Sequence, residues 1–166
     1  MNNKFRGQRT DTKEWVYGNL LKLETDYFTD SNDTGFMWYI IPLKTNGSWS
    51  KEKLMLKFIS PCFEVVPETI GQYTGLTDKN GKEIFEGDIL TSDCYPFKDG
   101  GEPNYNAEVF WSEGSLRFCT ELHCVNPNKA GISDGICEGL TDIDIQYEII
   151  GNIYDNSELI KVNNED

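Results

Sequence analysis

The stretch Pro67–Leu90, PETIGQYTGLTDKNGKEIFEGDIL, decides the fold. Gly71-Gln72-Tyr73-Thr74-Gly75 is an extended segment bounded by glycines. Asp78-Lys79-Asn80-Gly81-Lys82 is a tight-turn signal. Asn80 and Gly81 both tolerate positive φ, so a type I′ turn with these two at its centre is expected. Ile84-Phe85 then packs inward, and Glu86-Gly87-Asp88 turns the chain into Ile89-Leu90. Short strands joined by tight turns build a small β domain.

The pattern continues on both sides. Lys4 to Gln8 and Glu14 to Lys22 read as a hairpin across Thr10-Asp11-Thr12-Lys13. Further strands are expected at Phe36 to Ile41, ended by Pro42, at Leu54 to Ile59, and at Cys62 to Val66, ended by Pro67. Polar loops run from Glu24 to Gly35 and from Lys44 to Lys53, the latter with Asn46-Gly47 as a turn. Beyond Leu90, Ser92 to Tyr105 reads as a long loop. Glu108 to Trp111 and Ser115 to Thr120 form a hairpin, and Asn126 to Gly139 is a polar insertion. Tyr147 to Tyr154 is the last strand, interrupted by Gly151. Asp155-Asn156-Ser157 is placed to cap a helical turn over Glu158 to Val162. No helical periodicity of any length competes with this mainly β assignment.

Aromatics make up 13% of the 166 residues, too many for a disordered chain and enough for a packed interior. Trp15, Tyr17, Trp38, Tyr39, Tyr73 and Trp111 could form a sticky surface, but they are expected rather to fill the interior, since a small barrel or sandwich needs large apolar side chains inside. The net charge of −13 repels phosphate backbones, so generic nucleic-acid binding is not expected. MNNKFRG at the start is followed by no apolar export segment, and the longest apolar runs are far short of a membrane span. A cytoplasmic protein is expected. Five cysteines (Cys62, Cys94, Cys119, Cys124 and Cys137) at irregular spacing read as reduced thiols rather than a disulfide framework.

With these residues in view, the chain resembles the YopX family of phage proteins over nearly its whole length. The resemblance is carried by Lys4-Phe5-Arg6-Gly7 and Glu14-Trp15-Val16-Tyr17-Gly18. It continues in Val66-Pro67-Glu68-Thr69-Ile70, Gly71-Gln72-Tyr73-Thr74-Gly75-Leu76, Asp78-Lys79-Asn80-Gly81 and Glu86-Gly87-Asp88-Ile89. It ends in Glu148-Ile149-Ile150-Gly151-Asn152-Ile153-Tyr154 and Asn156. Ser157 departs from the family, which often has proline there. The resemblance implies an SH3-like barrel with an additional N-terminal β-rich part and short helical turns. It implies no reaction. The division expected is 1–66 for the N-terminal part and 67–166 for the barrel with its tail, or the two as one compact unit. Members are expected to differ at 92–105 and 126–139.

The chemical alternatives are thin. His123 is the one histidine, and its neighbour Cys124 would point to the opposite face of a strand. A Cys–His nucleophile is therefore not expected. Cys119, His123, Cys124 and Cys137 lack the knuckle spacing of a zinc site. Asp88, Glu86 and Asp78 invite a carboxylate pair for acid–base or Mg²⁺ chemistry, but carboxylates at turns more simply accept backbone hydrogen bonds. Gly71 and Gly75 are followed by no P-loop lysine. The motif residues Gly71, Gln72, Tyr73, Thr74, Gly75, Leu76, Asp78, Asn80, Gly81, Glu86, Gly87, Asp88, Gly151, Asn152 and Tyr154 are read as structural. No catalytic residue, cofactor or metal is expected. The preferred function is a non-enzymatic phage or prophage accessory module that binds a host or phage protein or forms a homo-oligomer. The alternatives are an acidic mimic of nucleic acid that inhibits a DNA-binding protein, and a carboxylate-dependent hydrolase or nuclease.

Overall fold

Period-2 alternation and turn residues at the breaks give antiparallel sheets. The computed structural model describes residues 4–24, 36–42, 62–128, 137–140 and 146–161. They form two compact units, 1–72 and 73–166. The strand expected at Leu54 to Ile59 and the turn at Asn46-Gly47 lie outside the described residues. Among those described, no helix is long and apolar enough to cross a membrane.

In the first unit β1 (Phe5–Gln8), β2 (Trp15–Glu24), β3 (Phe36–Pro42) and β4 (Phe63–Glu64) lie in the order β4-β3-β2-β1. Gly71 and Gln72, which open β5 (Gly71–Thr77), pair with β1 on its other side. The β1–β2 hairpin closes as expected: the Arg9 N–H donates to Glu14 O (3.0 Å), and Lys13 takes the left-handed φ of 62°. One face of this sheet carries Ile40 and Val65, the buried apolar side chains of this unit among the described residues. Gly7 and Gly18 fall on that face and permit close approach. A Cβ on Gly7 would sit 3.1 Å from Val65 Cβ, and one on Gly18 would run into the backbone of Ile41 and Pro42.

In the second unit β5 continues from Tyr73 and pairs with β6 (Glu83–Phe85). A five-stranded sheet follows in the order β12-β11-β10-β7-β13. It is built from β7 (Asp88–Thr91), β10 (Tyr105–Ser112), β11 (Arg117–Cys124), β12 (Cys137–Gly139) and β13 (Glu148–Asn152). Among the described residues this order does not close on itself. The core gathers Ile84, Leu90, Phe97, Tyr105, Ala107, Val109, Leu122, Cys124, Leu140 and Tyr147.

Four expectations need correcting. The Asn80-Gly81 turn is tight but not type I′: Gly81 has φ +80°, while Asn80 stays out of the left-handed region. Paired bonds from Gly81 N–H to Asp78 O (2.9 Å) and from Asp78 N–H to Lys82 O (2.8 Å) make it a three-residue connection with Gly81 as the left-handed bulge residue. The loop Ser92 to Tyr105 contains a small ladder, β8 (Lys98–Asp99) with β9 (Glu102–Pro103), and sinks Phe97 into the core. The final helical turn is a 3-10 turn, Ser157–Ile160, and Asn156 makes no side-chain cap to it. Its Oδ1 instead accepts the Asn152 N–H (3.4 Å).

The aromatic residues expected in the interior are not its fillers. Trp15, Trp38, Tyr39 and Tyr73 are half-buried, and Tyr17 and Trp111 are exposed. The aromatic interior is Phe85, Phe97, Tyr105 and Tyr147. In the first unit the rings stack with cations. Arg6 lies 4.8 Å from the Trp15 ring centre, Arg9 4.4 Å from Phe63, and Lys22 3.6 Å from Phe36 and 4.9 Å from Trp38. A cation over a ring covers part of its apolar surface, so these rings need no deeper burial; Arg6 is itself buried against Trp15.

Candidate functional site

The motif residues from Asp78 onward build one hydrogen-bonded frame in the second unit. Asp78 is its hub. Its Oδ1 accepts the N–H groups of Asn80 and Lys82 (2.8 Å each), and its Oδ2 accepts the N–H of Ile149 (3.3 Å). The next residue adds two bonds at the start of that strand: Lys79 N–H donates to O of Tyr147, just before β13 (2.8 Å), and Lys79 Nζ pairs with Glu148 (2.7 Å). The β5–β6 turn is thus fastened to β13, whose other side pairs with β7.

Asp88 acts similarly at the following turn. It is 1% exposed, and its Oδ2 accepts the Phe85 N–H at 2.8 Å. Between these strands Gly87, at φ +80°, donates to Val109 O (2.7 Å) and accepts from Ile153 N–H (2.9 Å). Glu86 Oε1 reaches the Trp111 N–H at 3.4 Å. At the C-terminal motif Asn152 Oδ1 accepts the N–H groups of Tyr154 and Asp155 (3.0 Å each). A Cβ on Gly151 would lie 2.6 Å from Asn156 Oδ1, so the glycine makes room for that side chain. In β5, Thr74 Oγ1 donates to Ile84 O (2.9 Å), and Gly75 takes φ +91° where the register slips. Gly71 and Gln72 serve the first unit's sheet, Tyr73 tilts against Phe85 with ring centres 5.6 Å apart, and Leu76 packs on the core.

The three carboxylates singled out for acid–base chemistry therefore face backbone N–H groups. Burial pushes the Asp78 carboxyl up, but the N–H groups of Lys82, Ile149 and Asn80 outweigh it and hold the group below its ordinary 3.8. A depressed carboxylate stabilises the fold above its unfolded pKa and loses that contribution as pH falls through the folded value. Asp78→Asn is expected to lower stability at neutral pH, and the gap from wild type should shrink as pH drops below about 3.8. Denaturant titrations of both proteins across that range check it; a gap constant with pH would contradict it. Asp11 and Asp93 are also depressed, by Arg9 and by Lys98, but they are exposed and add little.

His123 lies beside Glu108, with Nε2 3.6 Å from Oε2. Cys124 points the other way into the core, as strand alternation requires. Among the described residues no three of His, Cys, Asp and Glu gather in a group that could hold a metal ion.

Sequence reasoning missed the features of longest range. The Asp78–Ile149 bond joins residues 71 apart. Asn106 Nδ2 donates to Leu159 O (2.7 Å), and Asn126 Nδ2 to Asn104 Oδ1 (3.0 Å), with Asn104 wholly buried. No local pattern announces such bonds. Also missed was the charge division. Residues 1–72 hold nine basic and nine acidic residues, and 73–166 hold six and nineteen, so the whole −13 belongs to the second unit.

The YopX protein family model matches residues 4–161. No curated protein matches the chain. Among solved structures, the crystal structure of protein EF1440 from Enterococcus faecalis is similar, with 29% sequence identity over 95% of this chain and 97% of that one and a TM-score of 0.44.

Proposed function

The chain belongs to the YopX protein family, and on that premise we propose that it is a non-enzymatic phage or prophage accessory protein acting in the host cytoplasm through protein contact or self-assembly. Residues 67–166 are taken as an SH3-like barrel serving as the interaction module. The observation that carries this proposal is where large apolar side chains are left in water. Tyr95 is 80% exposed and Leu116 is 76% exposed, both at turns of the second unit. Each turn adjoins packed aromatic side chains. Tyr95 stands between Asp93, which pairs with Lys98 (2.5 Å) and Lys79 (3.5 Å), and Phe97, which is buried against Tyr147. Leu116 sits at φ 52° where β10 turns into β11, the hairpin on which Trp111 and Phe118 meet edge to face. An aromatic or aliphatic anchor held by a fixed backbone loses little freedom on docking, which is what a contact hot spot needs.

Light scattering of the purified chain tests the self-assembly form. The expected mass is a multiple of 19.0 kDa, returned to the monomer value by the pair Tyr95→Ser and Leu116→Ser. A wild-type monomer across a wide concentration range would exclude it.

A second reading is favoured by the charge division. With its acidity confined to 73–166, the chain would present that unit to the basic surface of a DNA-binding protein and displace the duplex. Its mark would be competition with DNA that weakens steeply as salt rises.

A further inference from the structure

The turn that fastens β13 contains a reactive dipeptide. Asn80 and Gly81 are both exposed, and nothing lies within 4 Å of where a Cβ on Gly81 would stand. An asparagine followed by glycine is the pair most open to intramolecular attack. The backbone nitrogen of the glycine has no neighbouring side chain to shield it. We propose that Asn80 is a deamidation site in the folded protein, and that its conversion to an acid releases β13 from Asp78.

The chemistry needs only water. The deprotonated Gly81 amide nitrogen attacks Asn80 Cγ, forming the C–N bond of a five-membered succinimide, and the side-chain amide leaves as ammonia. Water then opens either carbonyl of the ring, giving aspartate or isoaspartate at position 80. No oxidant or enzyme takes part. The rate rises with hydroxide, because the nucleophile is the deprotonated amide.

The closed turn slows the attack. Gly81 N–H is donated to Asp78 O (2.9 Å), and Asn80 N–H to Asp78 Oδ1 (2.8 Å). These bonds lie at a solvent-exposed turn, so a local opening that leaves the sheet intact is enough to free the nucleophile. The consequence follows from one contact. Asn80 Nδ2 lies 3.5 Å from Asp78 Oδ2, the oxygen that also accepts the Ile149 N–H. Deamidation replaces that donor with a second carboxylate. Two like charges at this spacing repel, and isoaspartate also lengthens the backbone of the turn. Asp78 then loses its hold on Ile149, leaving Lys79, through Tyr147 O and Glu148, to hold the turn to β13.

The full chain is incubated at mildly alkaline pH, folded and in denaturant, and mapped by mass spectrometry for the amide-to-acid mass gain and for isoaspartate at position 80. In parallel, hydrogen exchange at the Ile149 amide is compared for wild type, Asn80→Asp and Asn80→Ser. Conversion of Asn80 in the folded chain is expected, slower than in denaturant. Ile149 should exchange roughly tenfold faster in Asn80→Asp, the equivalent of one charge-assisted hydrogen bond, and at the wild-type rate in Asn80→Ser. A folded chain that keeps Asn80 while the denatured chain converts would overturn the site. Unchanged Ile149 exchange in Asn80→Asp, or faster exchange in both variants, would overturn the coupling.

Discussion

Gly18→Ala is expected to unfold the first unit or cost it about 3 kcal/mol or more. A Cβ at this position would meet Ile41 C at 2.6 Å and Pro42 Cα at 2.8 Å, and would press on Ile41 O as well. All three are backbone atoms of β3, directly across the ladder where Gly18 faces Pro42. No side chain can turn aside to relieve the overlap. The strands must separate, and with them the close packing of Ile40 and Val65, the buried core of this unit. Gly114→Ala is the matched control: nothing lies within 4 Å of its Cβ position and its φ is ordinary, so a change within about 0.5 kcal/mol is expected. Denaturant unfolding followed by tryptophan fluorescence, with Trp15 and Trp38 in the first unit and Trp111 in the second, decides between them. A Gly18→Ala protein as stable as the control would refute the close approach of β2 and β3.

The second large effect is expected at Asp88. Replacing it with alanine removes the acceptor for the Phe85 N–H, and both residues are buried. An orphaned buried donor costs about 1–3 kcal/mol, and the bond lost is charge-assisted, so a total of about 2–4 kcal/mol is expected for the second unit. Asp88→Asn keeps an oxygen of the same reach and should recover part of it. Thermal melts of the two variants give the comparison. If alanine and asparagine destabilise equally, the hydrogen bond to Phe85 is not the reason Asp88 is there.

How much of this was legible in the sequence depends on distance along the chain. The strands at Phe5–Gln8, Trp15–Glu24 and Phe36–Pro42 were visible because alternation and turn residues are local signals. The Asn80-Gly81 turn was placed correctly, but its type was not, because one left-handed glycine after an ordinary turn closes the same hairpin that two positive-φ residues would. Alternation assigns faces to Trp15, Tyr17 and Trp38 without saying what covers each face, and Arg6, Lys4 and Lys22 could not be seen stacking on them. The turn positions of Asp78 and Asp88 do announce carboxylates bonded to backbone, here the N–H groups of Asn80, Lys82 and Phe85. That Asp78 also reaches Ile149 has no local signature.

That last contact bears on the order of events during synthesis. The β5–β6 turn leaves the ribosome early, yet Asp78 Oδ2 cannot accept the Ile149 N–H until that residue arrives, and β7 cannot gain its outer neighbour until β13 does. Closing so long a loop is slow compared with forming the hairpins themselves. A nascent chain that has reached only β12 therefore holds β7 as an open edge, with one flank ready to pair with any passing strand. A chaperone or a second nascent copy would find its opportunity in that interval, and a chain cut short of Ile149 would never leave it.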